Sequence, residues 1–411
     1  VSPAAIDYNQ TAVLTVEYDG LVDGVEVSKI YADVTELGGS DKLAIDPSLK
    51  EITIAVDDDV TAGTKEIPIT VVDSYGSDYT SSAQVEVKTR QSVGEEDFDW
   101  DESIIYFTLT DRFFDGDSSN NDPYGLNYDT SKRGAYQGGD FEGITDKLDY
   151  LDDLGVNTIW ISPIVENIGH DVGTDQEGEP YYAYHGYWAN NFGELNPHFG
   201  TMEDFRTLID EAHNRGIKIM VDVVLNHTGY GLKEIDGNVA NPPEGYPTDA
   251  NRDLFSDLVR QGSNVGTDEV VGELAGLPDF KTEDPAVREQ IIEWQTAWIE
   301  EARTDEGNTI DYFRVDTVKH VEDTTWMAFK NALTEKAPEH KLIGEVWGAS
   351  VDNDSGYLES GMMDSLLDFG FKGIAGSFVN GELTEANDSL IDRNGKIDNT
   401  ATLGQFLGSH D

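Results

Sequence analysis

Apolar and polar residues alternate through the first ninety positions. TAVLTVEY (11–18), EITIAV (51–56), EIPITVV (66–72) and SAQVEVK (82–88) place an apolar side chain at nearly every second residue. That period belongs to strands with one face buried and one in water. Turn-forming clusters such as DDDVTAGT and DSYGSD separate the runs. The pattern predicts a small all-β, Ig-like sandwich over residues 1–90. No Phe or Trp precedes Phe98, so its core must be Val, Ile, Leu and Tyr. Sugar-binding modules stack ligands on exposed aromatics, and only Tyr8, Tyr18, Tyr31, Tyr75 and Tyr79 are on offer. A spacer or packing role is the better reading. The acidic stretch QSVGEEDFDWD opens a linker, assigned to 91–103.

From Ile104 the rhythm becomes strand, helix, strand. IIYFTLT (104–110), TIWISPI (158–164), KIMVDVVLNH (218–227), DYFRVD (311–316) and KLIGEVW (341–347) read as buried strands, with MDSLLDF and ATLGQFLGSHD as further ones. FEGITDKLDYLDDLGV (141–156) carries a helical stripe at Ile144, Leu148, Leu151 and Leu154. FRTLIDEAHNRG predicts a helix ended by Gly216, and residues 285–302 one opened by Pro285. Repeated βα units with continuously apolar strands imply a parallel sheet covered by helices. Asp111, Asn226, His227, Asp316, Glu345, His410 and Asp411 gather at the strands' C-terminal ends. A (β/α)8 TIM-type barrel puts its active site there. The barrel is assigned to 104–411. About fifty residues separate His227 from Pro278, too many for a structureless loop. An inserted subdomain over 228–280 is expected instead.

Composition narrows the partners. With 81 acidic against 27 basic residues among 411, the net charge is -54. Nucleic acid and anionic membranes would be repelled. Salt screens such self-repulsion, which suggests a salt-adapted protein. There are no cysteines, which excludes disulfides, thiol catalysis and Cys-ligated zinc. No run approaches the roughly 20 apolar residues of a membrane helix. The N-terminus VSPAAIDYNQ lacks the basic and apolar stretches of an export leader, so secretion would require that leader to have been removed.

Asp222, Asp316, Glu345 and Asp411 each close an apolar strand. One strand-end Asp is usually a turn or cap residue. Four converging on one mouth suit a metal site or glycoside hydrolysis, in which one carboxylate attacks and another donates a proton. Arg314 lies two positions before Asp316, on the same side of the strand, and would hold it ionised. Val346 and Trp347 follow Glu345; an apolar neighbourhood would raise its pKa, as a general acid needs.

DVVLNH (222–227), FRVDTVKH (313–320), GEVW (344–347) and FLGSHD (406–411), in that order, resemble the four short regions of the α-amylase family of retaining glycoside hydrolases. LPDF (277–280), YYAYHGYWANNF (181–192) and TDRFFDG (110–116) extend the likeness. The resemblance implies that Asp316 is the nucleophile, Glu345 the acid and then base, and Asp411 the third carboxylate, which binds sugar hydroxyls. It implies substrate contacts for Arg314, His185, Tyr187, His227, Lys319, His320 and His410. It implies Ca²⁺ at Asn226, Asp279 and the His320 backbone, and at a second set: Asp115, Asp117, Asn120, Asn121, Gly138 and Asp140. Ser409 and Thr317 depart from the family's usual Asn and small residue. FLGSHD matches the end of a seventh barrel strand, so a barrel incomplete at its C-terminal end is expected, and weak or no activity from the chain as it stands.

The function so implied is endo-acting, retaining hydrolysis of α-1,4-glucosidic bonds in starch by a secreted monomer. A cyclodextrin-forming or other transglycosylase is the nearest alternative. A noncatalytic glucan-binding barrel is the alternative of another class, disfavoured because all three carboxylates are present.

Overall fold

Among the described residues seven strands form the N-terminal sheets: β1 (Ala5–Ile6), β2 (Thr11–Thr15), β3 (Val27–Ala32), β4 (Leu43–Ile45), β5 (Glu51–Ala55), β6 (Gly63–Asp73) and β7 (Asp78–Val87). This computed structural model describes every residue except 7–9, 19–23, 58–59, 61, 89–101, 174–178, 234–248, 262–267, 359, 397–402 and 411. One sheet runs β1-β7-β6-β3-β4 and the other pairs β2 with β5. The alternation works as read: Ala12 and Leu14 of β2 are buried while their neighbours are exposed. Both sheets contribute to one aliphatic core, including Ile6, Leu14, Ile30, Ile54, Ile67 and Val85. Asp73 closes the β6–β7 hairpin by accepting from the N–H groups of Tyr75 and Ser77.

The later strands are β8 (Ile105–Thr108), β9 (Thr158–Ile161), β10 (Val165–Asn167), β11 (Ala189–Leu195), β12 (Lys218–Val223), β13 (Tyr312–Val315), β14 (Lys341–Gly344), β15 (Ser365–Asp368) and β16 (Leu403–Gln405). Seven of them form a parallel sheet in the order β16-β15-β14-β13-β12-β9-β8. Helices Met202–His213, Pro285–Glu301, Asp323–Lys336, Phe369–Val379 and Leu383–Asn394 lie between strands along the chain. This is the (β/α) architecture of a TIM-type barrel. Among the described residues no strand joins β16 to β8. β9, β13 and β15 are buried at every position, as strands covered on both faces must be. Trp160, Met220, Tyr312, Ile343 and Leu367 pack together inside the sheet.

By packing, Val1–Gln91 group with Asp323–Glu335 and Gly356–Met362, and the remaining residues form a second unit that carries the parallel sheet. The insert expected over 228–280 is described at 228–233, 249–261 and 268–280 and contains helix Asp249–Phe255. Its other residues, like linker residues 91–101, lie outside the described ones.

Three local readings are corrected. The stretch 104–110 ends as a strand at Thr108 and turns helical over Thr110–Phe113. The stripe at 141–156 is two helices, Phe141–Asp146 and Leu148–Asp153, meeting at Lys147; Leu154 is 55% exposed beyond the second. An antiparallel ribbon, β10 with β11, precedes helix Met202–His213 and went unread. The helix ends stand as expected: Pro285 occupies the first turn behind an Asp284 cap, and Gly216 has φ +72° after the turn that ends Met202–His213.

Candidate active site

Register brings the polar strand ends together. Asp222 of β12 pairs with Arg314 of β13, and Val315 pairs with Gly344 of β14. The next residues, Asp316 and Glu345, therefore leave the sheet side by side. Arg314 Nη1 donates to both oxygens of Asp222 (3.0 and 2.9 Å) and to Asp316 Oδ1 (2.8 Å). Its Nη2 lies 3.0 Å from Glu345 Oε2. All four side chains are buried. One guanidinium thus meets three carboxyl groups. Burial opposes the Arg314 charge, but the surrounding carboxylates, Asp222 first, drive its pKa well up.

Asp222 also accepts from Trp160 Nε1 (3.1 Å) and Tyr187 Oη (2.6 Å). Burial pushes its carboxyl up to about 7, against the pull of Arg314. Sequence reasoning noticed Asp222 as a strand-end carboxylate and gave it no role; Trp160 it missed. The available signal was the indole itself, since a buried Trp needs an acceptor.

Glu345 stands in a different setting from the one expected. Its Oε2 meets Arg314 and the N–H of Thr317 (3.1 Å), a polar environment. Trp347 is 60% exposed, and its ring packs on Phe369 at 4.9 Å. Thr317 adopts φ 50°, ψ 43°, the left-handed region, which costs a β-branched residue about 1–2 kcal/mol. The chain takes this turn immediately after the N–H that meets Glu345.

Over Asp316 and Glu345 opens a cleft of about 570 Å³ whose lining includes Tyr181, Tyr184, His185, Tyr187, His227, His410, Lys319, His320 and Trp347. His185 Nδ1 accepts from Tyr187 N (3.1 Å), and burial lowers its pKa to about 3. His227 Nε2 lies 3.1 Å from the Tyr187 carbonyl and can only donate to it; Nδ1 then accepts from Asn226 Nδ2 (3.2 Å). Burial lowers its pKa to about 4. Both rings are neutral near pH 7. His410 stacks on Tyr187 (5.2 Å, 10°). Lys319 Nζ donates to the Trp347 carbonyl (2.7 Å), and His320 Nδ1 lies 2.8 Å from the Glu269 carbonyl. Asp411, expected as the third carboxylate, lies outside the described residues.

The expected cation ligands divide into two places. His227 bridges to Asp279, and Phe280 N donates to the Asn226 carbonyl, so Asn226 and Asp279 adjoin. The Oδ1 atoms of both are buried with no hydrogen-bond donor. Burial pushes the Asp279 carboxyl up to about 7, although Arg260 Nε donates to its Oδ2 (2.7 Å). In the second place Asp140 accepts from the N–H groups of Gly116 and Asp117 and from Asn120 Nδ2, while Asn121 Nδ2 donates to Asp115. The Oδ1 atoms of Asn120 and Asn121 are buried and unbonded. Gly138 has φ +92°, and a Cβ there would lie 2.6 Å from Asn121 Oδ1. Among the described residues no three His, Asp or Glu side chains converge as a metal cluster. The donor sets are Asn and Asp oxygens, and two bare buried oxygens in each place suit a hard cation.

A family model described as the alpha amylase catalytic domain matches residues 107–411. The periplasmic alpha-amylase of Escherichia coli (strain K12) is 34% identical over 353 residues, covering 67% of this chain and 51% of that protein. A cyclomaltodextrin glucanotransferase from Bacillus sp. (strain 6.6.3) is 34% identical over 321 residues, 73% of this chain and 41% of the relative. The chain thus spans about half or less of these relatives' length. The crystal structure of an Anoxybacillus alpha-amylase superposes with a TM-score of 0.61 at 32% identity, over 77% of this chain and 63% of that one.

Proposed function

From the premise that this chain belongs to the α-amylase family of glycoside hydrolases, we propose that it cleaves α-1,4-glucosidic bonds within starch and related glucans, with retention of configuration. The observation that carries the proposal is one buried guanidinium joined to Asp316 and Glu345 beneath an aromatic cleft. Retaining chemistry needs two carboxyl groups roughly 5 Å apart, one ionised and one protonated. Arg314 keeps Asp316 a carboxylate that attacks the anomeric carbon. Three carboxyl groups around one cation leave room for a proton, which Glu345 gives to the departing glycosidic oxygen. Glu345 then takes a proton from the water that hydrolyses the glycosyl-enzyme. Asp411 is assigned to the sugar hydroxyls. Neutral His185, with His410, hydrogen-bonds the same sugar, and Tyr187 stacks on it; His227 is assigned to that sugar too and would exchange its bond to the Tyr187 carbonyl for one to a hydroxyl. Lys319 and His320 serve the leaving-group side.

Asn226 and Asp279 with the His320 carbonyl, and the loop oxygens of Asp115, Asp117, Asn120, Asn121, Gly138 and Asp140, are assigned to Ca²⁺. Bound calcium would neutralise buried oxygens and tie loops to the barrel; it takes no chemical step. Metal analysis of the folded protein should find it. Residues 1–90 are assigned to an Ig-like spacer module, 91–103 to a linker and 228–280 to an inserted subdomain. Among the described residues no helix is long and apolar enough to cross a membrane. A secreted, monomeric, salt-adapted enzyme is proposed; activity highest in salt-free buffer would refute the adaptation.

Incubation with starch, pullulan and maltoheptaose tests the main reading. Short linear maltooligosaccharides are expected. Cyclic products would favour a transferase instead, a reading supported by the glucanotransferase relative. Binding without turnover would leave a glucan-binding barrel.

A further inference from the structure

Tyr181, Tyr184 and His185 make the aromatic side of the cleft, yet residues 181–186 form no strand or helix. They are braced by the excursion that follows β8. Tyr182 N donates to the Gly134 carbonyl (2.7 Å), and Tyr136 Oη to the Ala183 carbonyl (3.1 Å). Gly134 has to be glycine, since a Cβ would lie 2.2 Å from the Pro180 carbonyl. Arg112 braces the Tyr184 ring, which also meets Tyr181 and His185 edge-on. Its guanidinium covers the Tyr184 ring, 3.6 Å from the centroid. The same group donates from Nη2 to the carbonyls of Arg133 and Ala135 (both 2.8 Å), and its Nε lies 2.8 Å from Asp111 Oδ2. Asp111 in turn accepts from the N–H groups of Gln137 and Gly138.

Arg112 does not line the cleft. Its planar fork joins three partners that fix its orientation, and its face then fixes the ring. We propose that Arg112 is a positioning residue that sets the Tyr184 ring, and through it the affinity of the cleft for a glucan chain. The inference rests on the glucan reading above. A Tyr ring held by cation–π contact and carbonyl anchors offers a preset stacking face. Without the brace the ring samples other rotamers, and binding must reorder it.

The test compares wild type, Arg112→Gln, Arg112→Lys, Tyr184→Ala and the Arg112→Gln/Tyr184→Ala double variant on maltoheptaose. Arg112→Gln should raise KM about five- to tenfold with kcat within about twofold of wild type. Arg112→Lys should also raise KM, because an ammonium that takes the place of Nη2 has neither a second nitrogen for Asp111 nor a planar face to lay on the ring. The double variant should be no worse than Tyr184→Ala alone. An unchanged KM in a folded Arg112 variant, judged by near-UV circular dichroism, would overturn the proposal, as would additive losses in the double variant. If Arg112→Gln does not fold, Arg112→Lys carries the same comparison. Wild type that neither binds maltoheptaose by calorimetry nor turns it over would overturn the glucan reading and this inference together; normal wild-type binding with unaffected variants would remove only the role of Arg112.

Discussion

The two ends of the parallel sheet use the same ingredients in opposite proportion. At the N-terminal end, Asp311 Oδ2 accepts from Ile219 N (2.8 Å) and lies 2.8 Å from His213 Nε2, while Oδ1 is 3.3 Å from Lys218 Nζ. One carboxylate there serves two cationic partners. At the C-terminal end one Arg314 serves three carboxyl groups. Both ends hold a cavity, about 380 Å³ below and about 570 Å³ above, so a hollow alone marks nothing. Helices Met202–His213 and Pro285–Glu301 finish near the lower cluster, and their C-terminal dipoles favour cations. With His213 neutral the lower cluster balances, Asp311 against Lys218, and with His213 protonated it carries one positive charge. The upper one carries unneutralised negative charge in a buried place, and that imbalance is available for chemistry.

Removing the upper nucleophile should have the largest effect. Asp316→Asn is expected to lower starch hydrolysis by at least about 10³-fold, measured as reducing ends released, with the thermal midpoint little changed. Arg314→Lys keeps one charge but cannot span three carboxyls; a loss of about 10²-fold in kcat is expected. At the lower end the readout inverts. Asp311→Ala leaves His213 and Lys218 without their shared partner, and urea unfolding should show a loss of roughly 2–3 kcal/mol, with kcat of the folded enzyme unchanged. Equal effects on activity from Asp311→Ala and Arg314→Lys would abolish the contrast. The smallest effect concerns pH. Burial opposes the charged form of His213, but the hydrogen bond and charge of Asp311 outweigh it and raise its pKa above 6.5. Its stabilisation is therefore fully present below about pH 6.5 and is lost as pH rises through the raised value. Thermal midpoints of wild type and His213→Gln should converge at high pH and separate at low pH.

Legibility in the sequence followed burial. Strands covered on both faces read as apolar runs, and their polar ends, Asp316 and Glu345, stood out against them. Arg314 was legible through its two-residue offset from Asp316, but its reach to Glu345 depends on the register of β13 with β14, which no local pattern carries. β11 was missed because ANNFGEL mixes polar residues and a glycine, and its partner β10 is three residues long. The helix break at Lys147 leaves the apolar period intact and so leaves no trace in it. The setting of Glu345 was misread because Trp347, adjacent in sequence, turns its ring toward Phe369.

The backbone at Thr317 has a consequence for variation at that position. Its left-handed φ of 50° redirects the chain just after the N–H held by Glu345, so the residue's tolerance is set by torsion before it is set by size. Saturation mutagenesis there should rank glycine and asparagine as the most stable replacements and valine and isoleucine as the least, irrespective of volume. Diversity in the side chain beside the nucleophile is thus filtered by a constraint that lies in the backbone.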